Sequence, residues 1–169
     1  YTPTHTLSLH DALPISELEY RKGRTVWDAA RDFHVLCAPA GEDALAAVVR
    51  DEDVRHVVLG VDRYEGPLYS ALAPGAVIVR YGVGHDGVDK ARATSEGILC
   101  TNTPGVLDNS VAEYTIALMI AAARSICPLS RLLAAGTWQP GVGWELRGRT
   151  LAVIGCGAIG RHVARIAAG

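Results

Sequence analysis

The residues best suited to chemistry form a glycine-rich run near the end of the chain, Gly155-Cys156-Gly157-Ala158-Ile159-Gly160. The run follows a short apolar segment and begins a helical pattern, the context in which a G-x-G-x-x-G sequence binds a dinucleotide. The first glycine permits a tight turn, the second lets the backbone approach a pyrophosphate, and the third allows close packing of helix on strand. We therefore predict a dinucleotide site, with a purely structural turn as the alternative.

A second glycine-containing turn, Tyr81-Gly82-Val83-Gly84, directly follows the apolar run that ends at Arg80. Open α/β sheets bind ligands beyond the carboxyl ends of their strands. Glycines on either side of one residue let successive backbone amides turn toward the same anion. A carboxylate is the anion predicted for this turn, and the alternative is a plain loop in which His85 and Asp86 are solvated.

A parallel sheet is predicted to position these two turns, because short apolar runs alternate with amphipathic stretches along the chain. The predicted strands are residues 33–38, 56–60, 76–80, 97–100 and 150–155, of which the first four form one open sheet. The predicted helices are residues 18–31, 41–50, 67–72, 88–95, 111–126 and one that begins near Ala158. The fold class is therefore α/β.

The longest predicted helix, residues 111–126, has signals at both ends. Ser110 and Glu113 have the S-x-x-E spacing of a capping box, so we assign Glu113 to the cap rather than to catalysis. Pro128 is expected to end the helix. Residues 130–146, which are rich in Gly, Trp and Pro, are expected to be irregular.

The composition excludes several classes of function. The chain has 169 residues with 16 Lys and Arg against 18 Asp and Glu, a net charge of −2, so no basic field is available to bind nucleic acid or an anionic membrane. The longest apolar run, residues 116–123, is far shorter than the roughly 18 residues of a membrane span. The four cysteines lack metal-ligand spacing, and we expect buried, reduced thiols in a cytoplasmic protein.

Both ends of the sequence affect the predicted fold. Residues 1–16 show neither helical nor strand periodicity and resemble a translated sequencing-adapter tail. We expect a non-native leader there, with an ordinary disordered N-terminal arm as the alternative, and exclude it from the fold. The chain ends at Gly169 within a helical pattern that has no following strand. We therefore expect a fragment whose sheet lacks its first strand.

Four ordered motifs across residues 80–160 resemble the D-isomer-specific 2-hydroxyacid dehydrogenase family. They are Tyr81 to Asp89, Gly97 to Gly105, Ser110 to Tyr114, and Glu145 to Leu151 leading into the glycine run. The resemblance implies a flavodoxin-like substrate domain at residues 17–107, incomplete in this chain. It also implies the beginning of a Rossmann NAD-binding domain at residues 108–169.

The resemblance implies roles for individual residues. The amides of the turn formed by Tyr81, Gly82, Val83 and Gly84 would bind the carboxylate of a 2-oxo acid. Gly155, Cys156, Gly157, Ala158, Ile159 and Gly160 would bind the pyrophosphate, and Val111 matches a position near the nicotinamide. Arg80 is expected to be solvated rather than to add charge near the substrate.

The residues that would perform the chemistry are expected outside this sequence. The family's catalytic arginine, glutamate and histidine lie in later segments, which places them after Gly169. The acidic residue that binds the ribose 2′-hydroxyl of NAD would come about 20 residues after the glycine run, also beyond this sequence. NAD is therefore the expected cofactor, and NADP stays open.

The sequence predicts that the parent protein is a cytoplasmic NAD(P)-dependent oxidoreductase and a homodimer. It would move a hydride between nicotinamide C4 and C2 of a small 2-hydroxy or 2-oxo acid. Two alternatives stay open: a cofactor-sensing interaction protein similar to the corepressors that resemble this family, and an inactive artefact of sequence assembly. The fragment itself is expected to be inactive, because it lacks the acid–base residues.

Overall fold

The computed structural model describes residues 12–31 and 34–169. The chain divides into two compact units, Tyr1–Pro104 and Gly105–Gly169. The second unit thus begins at Gly105, close to the position 108 at which we predict the start of the second domain.

The first unit is built on a five-stranded parallel sheet. Its strands are β1 (Ala12–Ser16), β2 (His34–Ala38), β3 (His56–Leu59), β4 (Val77–Arg80) and β5 (Leu99–Thr101). Their order across the sheet is β2-β1-β3-β4-β5. This is the flavodoxin-like order, so the predicted fold class of this unit is confirmed.

The first strand is the main departure from the sequence-based prediction. β1 pairs with β2 over its whole length and with β3 through Ile15 and Val58. The expectation that residues 1–16 contain no strand is therefore wrong for residues 12–16, which supply the first strand that we expected the sheet to lack. A strand buried on both faces shows no alternation of polar and apolar residues, and Pro14, which cannot donate to a ladder, is unusual within a strand. Residues 1–11 lie outside the described residues.

Five helices accompany the described part of the sheet: α1 (Glu17–Lys22), α2 (Arg24–Ala29), α3 (Glu42–Asp51), α4 (Leu68–Ala71) and α5 (Lys90–Ser95). The single helix predicted at residues 18–31 is two helices, which meet at Gly23. The predicted helix at 88–95 begins later, at Lys90, because the Asp89 carboxylate accepts a hydrogen bond from the Arg92 amide and caps it.

The core of the first unit lies where these helices pack on the sheet. Tyr69, Leu68 and Leu45 from the helices are almost completely buried together with strand residues Leu59 and Ile78. Burial of large apolar side chains is the dominant favourable term in folding. This core holds β3 and β4, and with them the loops that follow these strands.

The second unit is helical. It contains α6 (Asp108–Ala123), α7 (Ile126–Ala134) and α8 (Ala158–Ala168), and α6 packs against α8. The strand predicted at residues 150–155 is wrong, because no other segment of residues 105–169 forms a strand that could pair with it. Ile154 is fully exposed as a result.

Two predictions about α6 are also wrong. The helix begins at Asp108, so Ser110 lies inside it, and Glu113 accepts a hydrogen bond from the side-chain amide of Asn109 instead of completing a capping box. Pro128 does not end a helix but lies in the first turn of α7. Proline is tolerated there because the first-turn amides have no intrahelical acceptor.

The four cysteines are all exposed, so their predicted burial is wrong. Within residues 12–31 and 34–169, no single helix is both long and apolar enough to cross a membrane. The pair formed by α6 and α7 reaches that length and composition only together, with a bend of 66° between the two helices.

Glu42, the first residue of α3, holds the loop that leads into α4. Its carboxylate accepts hydrogen bonds from the backbone amides of Glu65, Gly66 and Leu68 at distances of 2.9 to 3.2 Å. A buried or half-buried amide that loses its acceptor is costly, and bonds to a charged acceptor are stronger than neutral ones.

We predict that Glu42→Ala lowers the free energy of unfolding by about 2 kcal/mol, because three amides lose a charged acceptor. Asp43→Ala is the matched control, since it removes a carboxylate from the next position in the same first turn. Its effect should stay below about 0.5 kcal/mol. Urea unfolding measures both variants, and equal losses would contradict the role given to Glu42.

Candidate functional site

The turn Tyr81-Gly82-Val83-Gly84 leaves the sheet at the carboxyl end of β4. The Tyr81 amide donates to the carbonyl of Leu59 at 2.9 Å and so extends the pairing of β3 with β4. The Gly82 amide then donates back to the Arg80 carbonyl at 2.9 Å. Gly82 has φ of +144°, a conformation that L side chains rarely adopt. Glycine therefore permits the abrupt change of direction at this point.

Two carbonyls of the turn are bonded to the segment that follows β5. The Thr103 amide donates to the Gly82 carbonyl at 3.0 Å, and the Asn102 side-chain amide donates to the Val83 carbonyl at 2.7 Å. In a trans peptide the N–H points away from the C=O of the same unit. The amides of Val83 and Gly84 therefore point away from β5, and neither has an acceptor within residues 12–31 and 34–169.

Two adjacent amides without acceptors can bind one carboxylate. Gly84 is exposed and Val83 is half-buried, so a ligand can reach both amides. The structure thus brings the predicted residues into an arrangement suited to an anion. Their role in binding a substrate carboxylate stays a prediction.

The far end of the loop is anchored to the segment that follows β3. The Tyr64 amide donates to the Gly87 carbonyl at 2.8 Å. A Cβ atom at Gly87 would lie 2.3 Å from the backbone oxygen of Asp62, so only glycine fits this approach. The loop after β4 is therefore fixed on both sides of the turn.

Two buried tyrosines strengthen this anchor. The Tyr69 hydroxyl donates to the Tyr64 carbonyl and accepts from the Asp89 amide, both at 2.8 Å. Burial raises the pKa of the Tyr69 phenol and also that of Tyr64. Both phenols therefore remain neutral across the physiological pH range, and Tyr69 keeps the proton that it donates.

An aromatic pair lies next to the turn. The ring of Trp27 meets the ring of Tyr81 edge to face, with centroids 5.4 Å apart. The indole N–H donates to the Glu19 carbonyl at 3.3 Å, which fixes the orientation of Trp27. Such edge-to-face pairs are favourable beyond the area that they bury.

The glycine run of the second unit forms a tight turn before α8. Gly155 has φ of +90°. A Cβ atom at Gly160 would lie 2.2 Å from the Gly155 carbonyl oxygen, whereas one at Gly157 would meet nothing within 4 Å. Gly160 is therefore required by packing, and the space beside Gly157 is open to a ligand.

The start of α8 is an exposed helix end. Cys156, Gly157 and Ala158 are exposed, Ile159 is half-buried, and no side chain caps the helix. The Arg161 guanidinium donates to the Cys156 carbonyl at 3.4 Å. Uncapped amides and the positive end of the helix dipole favour a phosphate here.

Val111 lies in α6 and is 39% exposed. Its carbonyl accepts a hydrogen bond from the Thr115 hydroxyl at 2.7 Å, so only its side chain is available to a ligand. Its proximity to a nicotinamide stays a prediction. Within the described residues, no group of three or more His, Cys, Asp or Glu could hold a metal ion.

Residues 16–164 match the family described as "D-isomer specific 2-hydroxyacid dehydrogenase, catalytic domain". The chain belongs to this family. The 2-hydroxyacid dehydrogenases similar to it include "Glyoxylate reductase" of Korarchaeum cryptofilum, which is 36% identical over 138 residues and is matched over 78% of this chain and 41% of its own length. "Glyoxylate reductase" of Aeropyrum pernix is 35% identical over 150 residues, with 83% of this chain and 42% of its own length matched.

Solved structures of 2-hydroxyacid dehydrogenases resemble the chain over more than nine-tenths of its length. A glyoxylate reductase from Paecilomyes thermophila superposes with a TM-score of 0.69 at 25% identity and covers 94% of this chain and 52% of its own. The NADPH-dependent glyoxylate/hydroxypyruvate reductase of Sinorhizobium meliloti gives a TM-score of 0.73 at 29% identity, with 93% and 50% covered. The chain thus spans about half the length of these relatives.

The sequence alone did not reveal the residues that support the turn Tyr81-Gly82-Val83-Gly84. Asn102 was part of a recognised motif, yet nothing in that motif shows that its side chain holds the Val83 carbonyl. Gly87 also lies within a recognised motif, and a glycine in a loop is a signal of a close backbone approach. Tyr64 and Tyr69 carried no signal that separates them from ordinary core residues.

We predict that Gly87→Ala lowers the free energy of unfolding by about 2 kcal/mol, because the new methyl group overlaps the Asp62 carbonyl. Gly84→Ala, in the same loop, is the matched control: nothing lies within 4 Å of its Cβ position, so the change should stay below about 0.5 kcal/mol. Chemical denaturation measures both. A loop that tolerated alanine equally at the two positions would contradict the anchoring role of Gly87.

Proposed function

We propose that the protein carrying this chain is an NAD(P)-dependent oxidoreductase that interconverts a small 2-hydroxy acid and its 2-oxo acid. The observation that supports this most directly is the pair of adjacent amides at Val83 and Gly84, at the carboxyl edge of the sheet, which have no acceptor among the described residues. Membership of the 2-hydroxyacid dehydrogenase family, and relatives named as glyoxylate reductases, support the same substrate class.

The turn would bind the carboxylate of the substrate. Two backbone amides donate to its two oxygens without a cationic side chain, and their positions are fixed by the bonds to the Gly82 and Val83 carbonyls. Rigid backbone donors orient a substrate at little entropic cost. The rest of the acid, including the C2 carbonyl, would then lie beyond the edge of the sheet.

The turn from Gly155 to Gly160 would hold the pyrophosphate of a nicotinamide dinucleotide. The open space at Gly157 and the uncapped amides of α8 fit this group. When bound, the dinucleotide supplies the hydride that is exchanged with C2 of the acid. NAD is the proposed cofactor, and NADP stays an alternative. The residue that distinguishes the ribose 2′-hydroxyl of NAD from the 2′-phosphate of NADP would follow about 20 residues after the glycine run.

The reaction also needs a group that exchanges the hydroxyl proton. Of the described histidines, His56 accepts the Val77 amide through Nδ1 and is thereby occupied in the sheet. The family resemblance implies a histidine held by a carboxylate, and an arginine that polarises the carbonyl, in the segment after Gly169. In this proposal residues 17–107 belong to the substrate domain and residues 108–169 begin the cofactor domain of a cytoplasmic homodimer.

In the full-length protein, we predict that Gly157→Val abolishes NADH binding with little loss of stability. A branched side chain there would enter the space proposed for the pyrophosphate, yet it meets no protein atom within 4 Å of its Cβ. NADH fluorescence titration measures the affinity and thermal melting measures the stability. Unchanged affinity would refute the assignment of the glycine run.

For the proposed substrate turn, we predict that Gly84→Pro raises the KM for a 2-oxo acid at least tenfold and leaves the affinity for NADH unchanged. Proline removes the amide donor and fixes φ, and a hydrogen bond to a charged group accounts for about 1.5 to 3 kcal/mol. Gly84→Ala keeps the amide and should change KM much less. Steady-state kinetics compares the two, and similar KM values would place the carboxylate elsewhere.

A further inference from the structure

The amides of Val83 and Gly84 face one particular part of the carboxyl edge of the sheet. They point away from β5, because the carbonyls of the same peptide units are bonded on the β5 side. In the strand order β2-β1-β3-β4-β5, the direction away from β5 leads toward β3 and β1. The carbon chain of an acid bound by these amides lies on the far side of its carboxylate, and therefore extends toward the segments that follow β3 and β1.

Trp27 lies on this side of the turn. It belongs to α2, in the segment that follows β1, and its ring meets the ring of Tyr81 edge to face with centroids 5.4 Å apart. Tyr81 precedes Val83 by two residues, so their Cα atoms are at most about 7 Å apart. The indole is therefore close to the proposed carboxylate site, on the side that the Val83 and Gly84 amides face.

The indole is held in position at the junction of α1 and α2. Its Nε1–H group donates to the Glu19 carbonyl at 3.3 Å. A Cβ atom at Gly23, where the two helices meet, would lie 2.5 Å from Nε1, so the ring packs directly against the backbone there. Glu19 is buried, and a Cβ atom at Gly60 would lie 2.5 Å from its Oε1 atom. The position of the indole is thus tied to the residue that follows β3.

The aromatic pair is accessible and its surroundings on α2 carry balanced charge. Trp27 is half-buried and Tyr81 is 37% exposed. The two charged residues of α2, Arg24 and Asp28, pair with each other at 3.4 Å, and Asp28 also accepts the Tyr20 hydroxyl at 2.6 Å. Aromatic rings favour edge-to-face or offset contacts with other rings at centroid distances of about 4.5 to 7 Å. The indole is therefore suited to contact an apolar or aromatic group.

We propose that Trp27 is a specificity-determining residue, whose indole contacts an apolar or aromatic group on C3 of the 2-oxo acid that binds at Val83 and Gly84. The inference rests on the proposed function and narrows its substrate class to 2-oxo acids with an apolar C3 substituent. From its carboxylate to the far edge of its ring, 3-phenylpyruvate spans roughly 7 Å at ordinary bond lengths. This is enough to reach a ring that packs on Tyr81.

The first test measures steady-state kinetics of the full-length protein with pyruvate and with 3-phenylpyruvate, which differ only in the phenyl group on C3. We expect kcat/KM to be higher for phenylpyruvate. Trp27→Ala should lower the ratio of the two kcat/KM values about tenfold, through the KM for phenylpyruvate. Trp27→Phe keeps a ring at this position and should retain most of the ratio. A ratio that is unchanged in Trp27→Ala overturns the proposal.

Two further variants separate the indole from the rest of α2. Val26→Ala removes an apolar side chain that is 61% exposed at the neighbouring position, and it should retain the ratio. Gly23→Ala keeps Trp27 but displaces its ring, because the new methyl group would lie 2.5 Å from Nε1, and it should lower the ratio as Trp27→Ala does. Circular dichroism confirms that each variant is folded. An equal loss in Val26→Ala would indicate a general effect of α2 and overturn the role of Trp27.

Two-dimensional NMR of this chain tests the contact without catalysis. The chain has three tryptophans, and the spectrum of Trp27→Phe identifies the indole N–H resonance of Trp27. During titration, phenylpyruvate should shift this resonance and the amides of Val83 and Gly84, whereas pyruvate should shift the amides alone.

The same titrations separate this inference from the proposed function. If both acids shift the amides of Val83 and Gly84 and neither shifts the indole resonance, the carboxylate turn stands and the role of Trp27 fails. If phenylpyruvate shifts the indole resonance and neither acid shifts the amides, the contact with Trp27 stands and the carboxylate turn fails. If neither acid shifts either group, both are overturned.

Discussion

The candidate substrate site depends on two peptide units whose carbonyl groups are already occupied. Thr103 and Asn102 donate hydrogen bonds to the carbonyls of Gly82 and Val83. The N–H groups of the same two peptide units, at Val83 and Gly84, therefore point in the opposite direction. Free backbone amides are costly unless solvent or a ligand satisfies them. The segment after β5 therefore determines that the loop after β4 presents donors rather than acceptors.

This arrangement requires the strand order of the sheet. β4 lies between β3 and β5, so its following loop can be bonded on one side to the segment after β3 and on the other to the segment after β5. Tyr64 and Tyr69 act on the first side, and Asn102 acts on the second. A parallel sheet places all these loops at one edge.

Two glycines of the run in the second unit, Gly157 and Gly160, have different roles. Position 160 must be glycine because a Cβ atom there would overlap the carbonyl oxygen of Gly155. A Cβ atom at position 157 would instead contact no protein atom within 4 Å. A turn with only a structural purpose explains Gly160 but gives no reason for glycine at position 157. This contrast supports the proposal that a ligand occupies the space beside Gly157.

The sequence by itself determined the α/β class, the strands β2 to β5 and both glycine turns, because these depend on local apolar runs and on backbone conformations that only glycine adopts. It did not determine β1, whose burial on both faces and whose Pro14 conceal a strand, or the start of α6 at Asp108. It also could not show that 150–155 would lack a strand partner. Tertiary structure alone brought Asn102 to Val83 and Gly87 to Asp62, because these contacts join residues distant in sequence.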